Sequence, residues 1–176
     1  ERSKLLFDMA ENAKRHLLDF ATVHGVDIDY MPGQLNVSHK PGYEREYRAN
    51  ADIAAERYDY PHVTFMDKAE TQERVGTKDY YCGVLDTGTG HIHPLKLLVG
   101  LAKVAKAAGA GIYENTKATA IRREGGKIRV ETPKGTLTSD RVLIATNAYI
   151  GDLEPITSAH VMPIGSFIAA TEPLDA

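Results

Sequence analysis

The sequence predicts an α+β fold with α/β character in its later part, and three observations predict it. Apolar residues recur every three to four positions over 4–24 and again after Pro94, the spacing of helix faces. Short runs of period two crowd the last third and are separated by Gly125-Gly126 and by Pro133-Lys134-Gly135. One run, Arg141-Val142-Leu143-Ile144-Ala145-Thr146, is apolar throughout its middle, as a strand covered on both faces would be.

Leu5, Met9, Ala13, Leu17 and Phe20/Ala21 fall on one face of a first helix, which Gly25 stops. Asp27 to Tyr30 and Gln34 to Val37 flank Met31-Pro32-Gly33 and predict a hairpin. Tyr43, Tyr47, Ala51, Ala54 and Tyr58 stand at helical spacing in a second helix ended by Pro61, and its tyrosines read as core and rim packing. A strand at 63–66 leads to Asp67 and Glu70, whose spacing of three fits a reciprocal helix start, with a brief helix running to Val75. Tyr80 to Leu85 predicts a strand. Pro94, whose missing N–H costs nothing in a first turn, opens a helix carrying Leu95, Leu98, Leu101/Ala102, Ala105 and Ala108, closed by Gly109. Strands are expected around 111–114, 119–122, 127–131, 137, 141–146 and 164–170, with a small-residue loop at 147–152.

With 176 residues, 43% of them hydrophobic, the chain can build a core, and disorder is not expected. Lys and Arg total 21 against 24 Asp and Glu, a net charge of −3 with neither sign gathered into a block, so no nucleic-acid partner and no membrane-surface partner is expected. No run approaches the roughly 20 apolar residues of a membrane-spanning helix. The single cysteine, Cys82, allows neither an internal disulfide nor a multi-thiolate metal site and suits a reducing cytoplasm. The start, Glu1-Arg2-Ser3-Lys4, shows no signal-peptide pattern and no initiator methionine, and we expect a piece of a longer polypeptide.

Few motifs carry chemistry. Gly88-x-Gly90-x-x-His93 before a helix matches a phosphate-cradling loop weakly, because His93 takes the place of the third glycine; it reads as a turn. His91 and His93 would share a face of an extended segment, with Asp86 nearby, but no third ligand has convincing spacing. They read as turn histidines that help cap the next helix, and no metal is expected. Cys82 beside Gly83 reads as a packed small hydrophobe, and Arg122, Arg123, Glu124, Lys127 and Arg129 as the solvated face of a hairpin. No nucleophile elbow and no paired-carboxylate arrangement is present, so the residues alone reveal no reaction.

Four segments in order carry a resemblance: His93-Pro94-Leu95-Lys96-Leu97-Leu98 with its helix ending in Ala107-Ala108-Gly109-Ala110; Thr116 to Ile121 with the hairpin through Gly135; Arg141 to Tyr149; and Pro163 to Leu174. Together they resemble the middle of FAD-dependent amine and amino-acid oxidoreductases of the D-amino acid oxidase superfamily, in the branch of glycine/sarcosine oxidase and gamma-glutamylputrescine oxidoreductase. The resemblance implies a central fragment of a two-domain FAD-dependent oxidoreductase. Residues 1–87 would belong to the substrate domain, with a mixed or antiparallel sheet and helices; 88–150 to part of the FAD-binding domain; and 151–176 to a return into the substrate-domain sheet, which would lie over the flavin.

The resemblance also implies cofactor contacts at the backbone of Ala118, in the loop Ala145, Thr146, Asn147 and Ala148, and at Tyr149 as a wall. For each the alternative is ordinary packing at a strand end. The glycine fingerprint that holds the FAD pyrophosphate is not among these residues, so no catalytic residue is carried over, and the isolated chain is expected to be inactive. The implied reaction is oxidation of the C–N bond of a small amine or amino acid. The rival from another class is a non-enzymatic binding domain using helix 43–58 as its contact surface. Self-association of the fragment is expected where an apolar face is left uncovered.

Overall fold

The computed structural model describes residues 1–167 and residue 172. Two compact units make up the chain, Glu1–Ile112 and Tyr113–Ala176.

In the first unit, helix α1 (Arg2–Val23) precedes strand β1 (Met31–Ser38), a short 3-10 turn at Pro41–Tyr43 and helix α2 (Glu44–Tyr58). Strand β2 (Val63–Met66), helix α3 (Lys68–Val75), strand β3 (Cys82–His91) and helix α4 (Pro94–Ala107) follow. The strands form an antiparallel sheet in the order β1-β3-β2, so the glycine-rich β3 is its central strand. Helix α2 ends where Asp59 turns left-handed (φ 54°), two positions before the Pro61 expected to stop it. The start of α3 is the expected reciprocal cap: the Glu70 N–H donates to Asp67 Oδ1 at 3.0 Å and the Asp67 N–H donates to Glu70 Oε2 at 2.9 Å. Ala21, Ile28, Ala51, Tyr60, Met66 and Cys82 are buried. Thr71 is buried with them, and its hydroxyl is satisfied by the Met66 carbonyl at 3.4 Å.

The helix faces differ from their sequence patterns. Along α1 the later part of the expected face, Leu17, Phe20 and Ala21, does pack, but in the first half Phe7, Glu11 and Lys14 turn inward while Leu5, Met9 and Ala13 are exposed. Along α4 the inward line is Leu97, Gly100 and Val104, and Leu95, Leu98 and Leu101 are exposed. Gly100 fits because an added Cβ would lie 2.1 Å from a Val26 methyl.

Three further differences concern pairing. The hairpin expected over 27–37 is absent. Met31–Ser38 is one strand, Gly33 (φ +95°) sits inside it at a break in register, and the turn lies earlier, where the Asp29 N–H donates to Asp27 Oδ1 at 3.1 Å and Asp29 adopts φ 49°. The strand expected to end at Leu85 runs on to His91, because Gly90 and Asp86 pair with Pro32 and Gln34. The glycine segment, expected to be a turn, is therefore strand through His91.

In the second unit, strands β4 (Ala120–Glu124), β5 (Lys127–Thr132) and β6 (Gly135–Ser139) form an antiparallel meander, followed by a 3-10 turn at Asn147–Tyr149 and a one-turn helix α5 (Pro155–Ser158). Gly125 and Gly126, at φ +58° and +79°, make the β4–β5 turn that two left-handed residues allow. Arg122–Glu131 and Arg129–Glu124 ion pairs at 2.9 and 2.7 Å lie on its exposed surface, as expected of that charge cluster. Residues 111–114 form no strand. Neither does 141–146, where Leu143 is 90% exposed: among the described residues nothing pairs with this run, and a strand exists only through its ladder. Of the strand expected at 164–170, residues 164–167 are not in a strand and 168–170 lie outside the described residues. Among the described residues no helix is long and apolar enough to cross a membrane.

Candidate functional site

The cofactor contacts expected from sequence fall on two segments of the second unit. Thr119 fixes the entry to β4 twice, its N–H and its hydroxyl donating to the Glu131 carbonyl at 2.8 and 3.1 Å. Ala118, one residue earlier, is thereby held beside the meander. The second segment turns at Asn147 (φ 50°), where the Tyr149 N–H donates to the Thr146 carbonyl at 3.0 Å, and again at Gly151 (φ +53°). Asparagine and glycine tolerate this left-handed geometry, so the sequence can fold back twice within five residues.

Between the two segments lies a cavity of about 450 Å³ lined by Lys117, Ala118, Thr119, Thr146, Tyr149, Ile150, Gly151, Asp152 and Leu153. Of the six residues expected at a cofactor, Ala118, Thr146 and Tyr149 line it; Ala145, Asn147 and Ala148 belong to the same loop but do not. Ile150 is buried beneath, while Tyr149 is 92% exposed. Lys117, Thr119 and Asp152 escaped the sequence reading. Gly151 and Asp152 were already marked as loop residues, and their small or polar character was the available signal.

The donor set is mixed: two threonine hydroxyls, one ammonium and one carboxylate around alanine and glycine. Such a set fits a nucleoside-sized group, whose hydroxyls need acceptors and whose flat base needs a wall without bulky neighbours. The residues present therefore fit part of an FAD, at the size of one of its halves. A second cavity, of about 380 Å³, shares Ala118 and is otherwise lined by Tyr113, Val130, Leu137 and three threonines among others.

In the first unit the concentration of polar contacts is around Gly88. The Tyr60 hydroxyl donates to Asp86 Oδ1 at 2.9 Å, and the same oxygen accepts the Gly88 N–H at 2.9 Å. Burial, and then the Asp86 carboxylate, push the Tyr60 phenol far above its ordinary value, so it remains a donor. Lys14 Nζ donates to the Gly88 carbonyl at 2.6 Å and pairs with Glu11 at 2.7 Å.

His93 caps α4, its Nδ1 accepting the Lys96 N–H at 3.4 Å, and its own N–H donates to the Ile28 carbonyl at 2.7 Å. Among the described residues no three His, Cys, Asp or Glu side chains are grouped to hold a metal ion. Cys82 is fully buried, and burial raises its thiol pKa, which leaves it protonated and unreactive.

The family model for FAD dependent oxidoreductase matches residues 1–176. The probable oxidoreductase OrdL of Rhizobium meliloti (strain 1021) is 57% identical over 171 residues, covering 97% of this chain and 40% of that protein. Gamma-glutamylputrescine oxidoreductase of Escherichia coli (strain K12) is 33% identical over 150 residues, covering 85% of this chain and 35% of that protein. Among solved structures, glycine oxidase from Bacillus cereus ATCC 14579 superposes with a TM-score of 0.71 at 25% identity, over 87% of this chain and 44% of that one. The chain thus spans less than half the length of these relatives. Its antiparallel sheets and helices and its whole-length match give one conclusion: the chain belongs to the FAD-dependent oxidoreductase family.

Proposed function

We propose that the chain is part of an enzyme that oxidises the C–N bond of a small amine or amino acid, with residues 1–87 and 151–176 serving the substrate side and 88–150 the cofactor side. The observation that carries the cofactor assignment is the cavity that gathers Ala118, Thr146 and Tyr149 from two separated segments. The substrate class rests on relatives named for gamma-glutamylputrescine and for glycine. FAD, when bound, supplies the acceptor for the hydride leaving the substrate carbon, while the amine nitrogen loses a proton and the imine is released for hydrolysis. The chain's own residues bind and orient. Thr119 and Thr146 offer acceptors to sugar hydroxyls, Lys117 offers a cation to a phosphate, and Ala118 keeps the approach open; Gly151 and Asp152, the first residues of the segment that returns to the substrate side, close the same cavity. Ala145, Asn147 and Ala148 shape the loop that carries Thr146 and Tyr149.

The isolated chain is assigned no turnover, and a cytoplasmic setting agrees with one buried, unpaired cysteine. Exposed Leu143 and Phe167 favour self-association of the isolated chain. The test is a visible spectrum of the whole polypeptide that carries this chain, followed by anaerobic addition of glycine, sarcosine, gamma-glutamylputrescine and D-amino acids. Flavin bands that bleach with one of these are expected. A colourless protein that cannot be reconstituted with FAD, or amine-dependent peroxide formation by the 176-residue chain alone, would overturn the corresponding half of the reading.

A further inference from the structure

We propose that Lys14 is a positioning residue that, through the Gly88 carbonyl, sets how the β1-β3-β2 sheet hands over to the cofactor side of the enzyme. The inference rests on the functional reading above and deepens it. Pro32 pairs with Gly90 and Gln34 with Asp86, so Thr87, Gly88 and Thr89 stand opposite Gly33 alone. A bulge of this kind takes peptide groups out of the ladder and bends the strand. The Thr87 N–H finds the His62 carbonyl at 3.0 Å, and side chains capture both groups of Gly88. The Gly88 N–H is held by Asp86, itself fixed by the Tyr60 hydroxyl, and the Gly88 carbonyl is held by Lys14, which comes from α1, 74 residues away in sequence.

The cost of this arrangement argues for its use. Lys14 and Glu11 lie on the packed side of α1 while Leu5 and Met9 are exposed, the reverse of what burial alone would choose. The Lys14 side chain is only 25% exposed, and its ammonium also stands 5.4 Å from the centre of the Tyr60 ring. Gly88 admits no side chain: a Cβ would lie 2.4 Å from the Tyr60 hydroxyl and 2.7 Å from the His62 ring. The peptide so gripped lies at the boundary proposed above between the 1–87 and 88–150 segments, inside the compact unit Glu1–Ile112. Beyond it β3 ends at His91 and His93 opens α4. A clamp at this bulge fixes the bend between the part of β3 paired at Asp86 and the part paired at Gly90 and His91, and a small displacement passed on from there to the reacting groups slows the chemistry.

The experiment is stopped-flow flavin reduction in the whole polypeptide, using the member of the amine panel that reduces wild type fastest, with FAD content and melting temperature measured beside it. Lys14→Met keeps the apolar stem and removes the ammonium; flavin reduction is expected to slow about tenfold at unchanged FAD content, the scale that a small misplacement of reacting groups produces. Lys14→Arg restores a donor and recovers most of the rate, and Tyr60→Phe, which keeps the ring, shows a smaller loss. If Lys14→Met does not fold, Tyr60→Phe with Lys14→Arg carries the test. An unchanged reduction rate with only a lower melting temperature, or a rate lost in proportion to FAD, overturns the positioning role and leaves the enzyme reading standing. A wild-type protein without flavin, or with flavin that no member of the panel reduces, overturns both.

Discussion

In the unit Glu1–Ile112, Ala21, Ile28, Ala51, Tyr60, Met66 and Cys82 are buried around a three-stranded sheet; in Tyr113–Ala176, Ile150 is the one buried apolar residue among those described, while Leu143, Tyr149 and Phe167 stand 90%, 92% and 96% exposed. The first unit is held by side chains that interlock, the second by a meander's ladders and turns. The difference teaches where a substitution should be felt. Phe7 lies 4.9 Å from the Tyr58 ring and 5.3 Å from the Tyr60 ring, and Tyr60 lies 4.9 Å from the His62 ring, so α1, the end of α2 and the sheet meet in one aromatic cluster. The sharpest test of the comparison is therefore a pair of tyrosines. Tyr60→Ala is expected to cost roughly 3–5 kcal/mol in urea unfolding, as large-to-small core substitutions do. Tyr149→Ala should stay within about 0.5 kcal/mol, as exposed positions do. Equal losses at the two sites would break the comparison.

Gly88→Ala comes next in size. The added methyl meets the Tyr60 hydroxyl and the His62 ring at distances that require something to move, and overpacking of this kind costs about 1–3 kcal/mol. Combining it with Tyr60→Phe removes one of the two clashing groups. The double variant should recover part of the loss, and an additive result would mean that Tyr60 does not press on Gly88.

These contacts also mark the limit of what the sequence could say. The α3 start was legible because Asp67 and Glu70 satisfy each other within one turn, and the Gly125-Gly126 turn because two adjacent glycines accept the two left-handed conformations that a tight hairpin turn needs. The extension of β3 through Gly88 and Gly90 was not, since a glycine run reads as a loop until Pro32 and Gln34 are known to lie opposite it. The inward turn of Lys14, which carries Glu11 with it, was hidden for the same reason: its partner, Gly88, is 74 residues away. Conversely, 141–146 has the pattern of a covered strand, but pattern states a requirement, and among the described residues no partner meets it. At the candidate site, Ala118 and the loop from Ala145 to Tyr149 were expected through resemblance to a family, and Ala118, Thr146 and Tyr149 line one cavity. Lys117, Thr119 and Asp152 became visible only when two distant segments were brought around one cavity.

A smaller effect is expected at the α3 cap. Asp67→Ala removes the acceptor for the Glu70 N–H and should lower stability by about 0.5–2 kcal/mol. Glu70→Ala, which removes the reciprocal bond, should lower it less, and amide exchange should accelerate only in the first turn of α3. Acceleration extending to β3 would mean that the helix and the sheet open as one, and the local character of the cap would be lost.

The smallest effect belongs to the exposed clamp between α4 and the loop before β1, where Lys96 Nζ reaches Asp27 at 3.2 Å and Asp29 at 2.6 Å. The Asp29 backbone N–H, ahead of Lys96, holds the Asp27 carboxyl below its ordinary value; bonds to Asp29 and then Asp27 hold the Lys96 ammonium above its own. The signs follow from linkage. A carboxyl depressed in the folded state contributes stability above its unfolded pKa and loses it as pH falls through the folded value; an ammonium raised in the folded state contributes below its unfolded pKa and loses it as pH rises through the folded value. The clamp should thus be intact across neutral pH and fail at both extremes, and added salt should weaken it because all three groups meet water. The difference in melting temperature between wild type and Lys96→Met should be greatest at low salt near neutrality and should shrink toward the acid and alkaline ends. A difference that stays constant across pH and salt would assign the effect of Lys96 to its methylene stem against α4, and would remove electrostatics from the account of how the first unit is held.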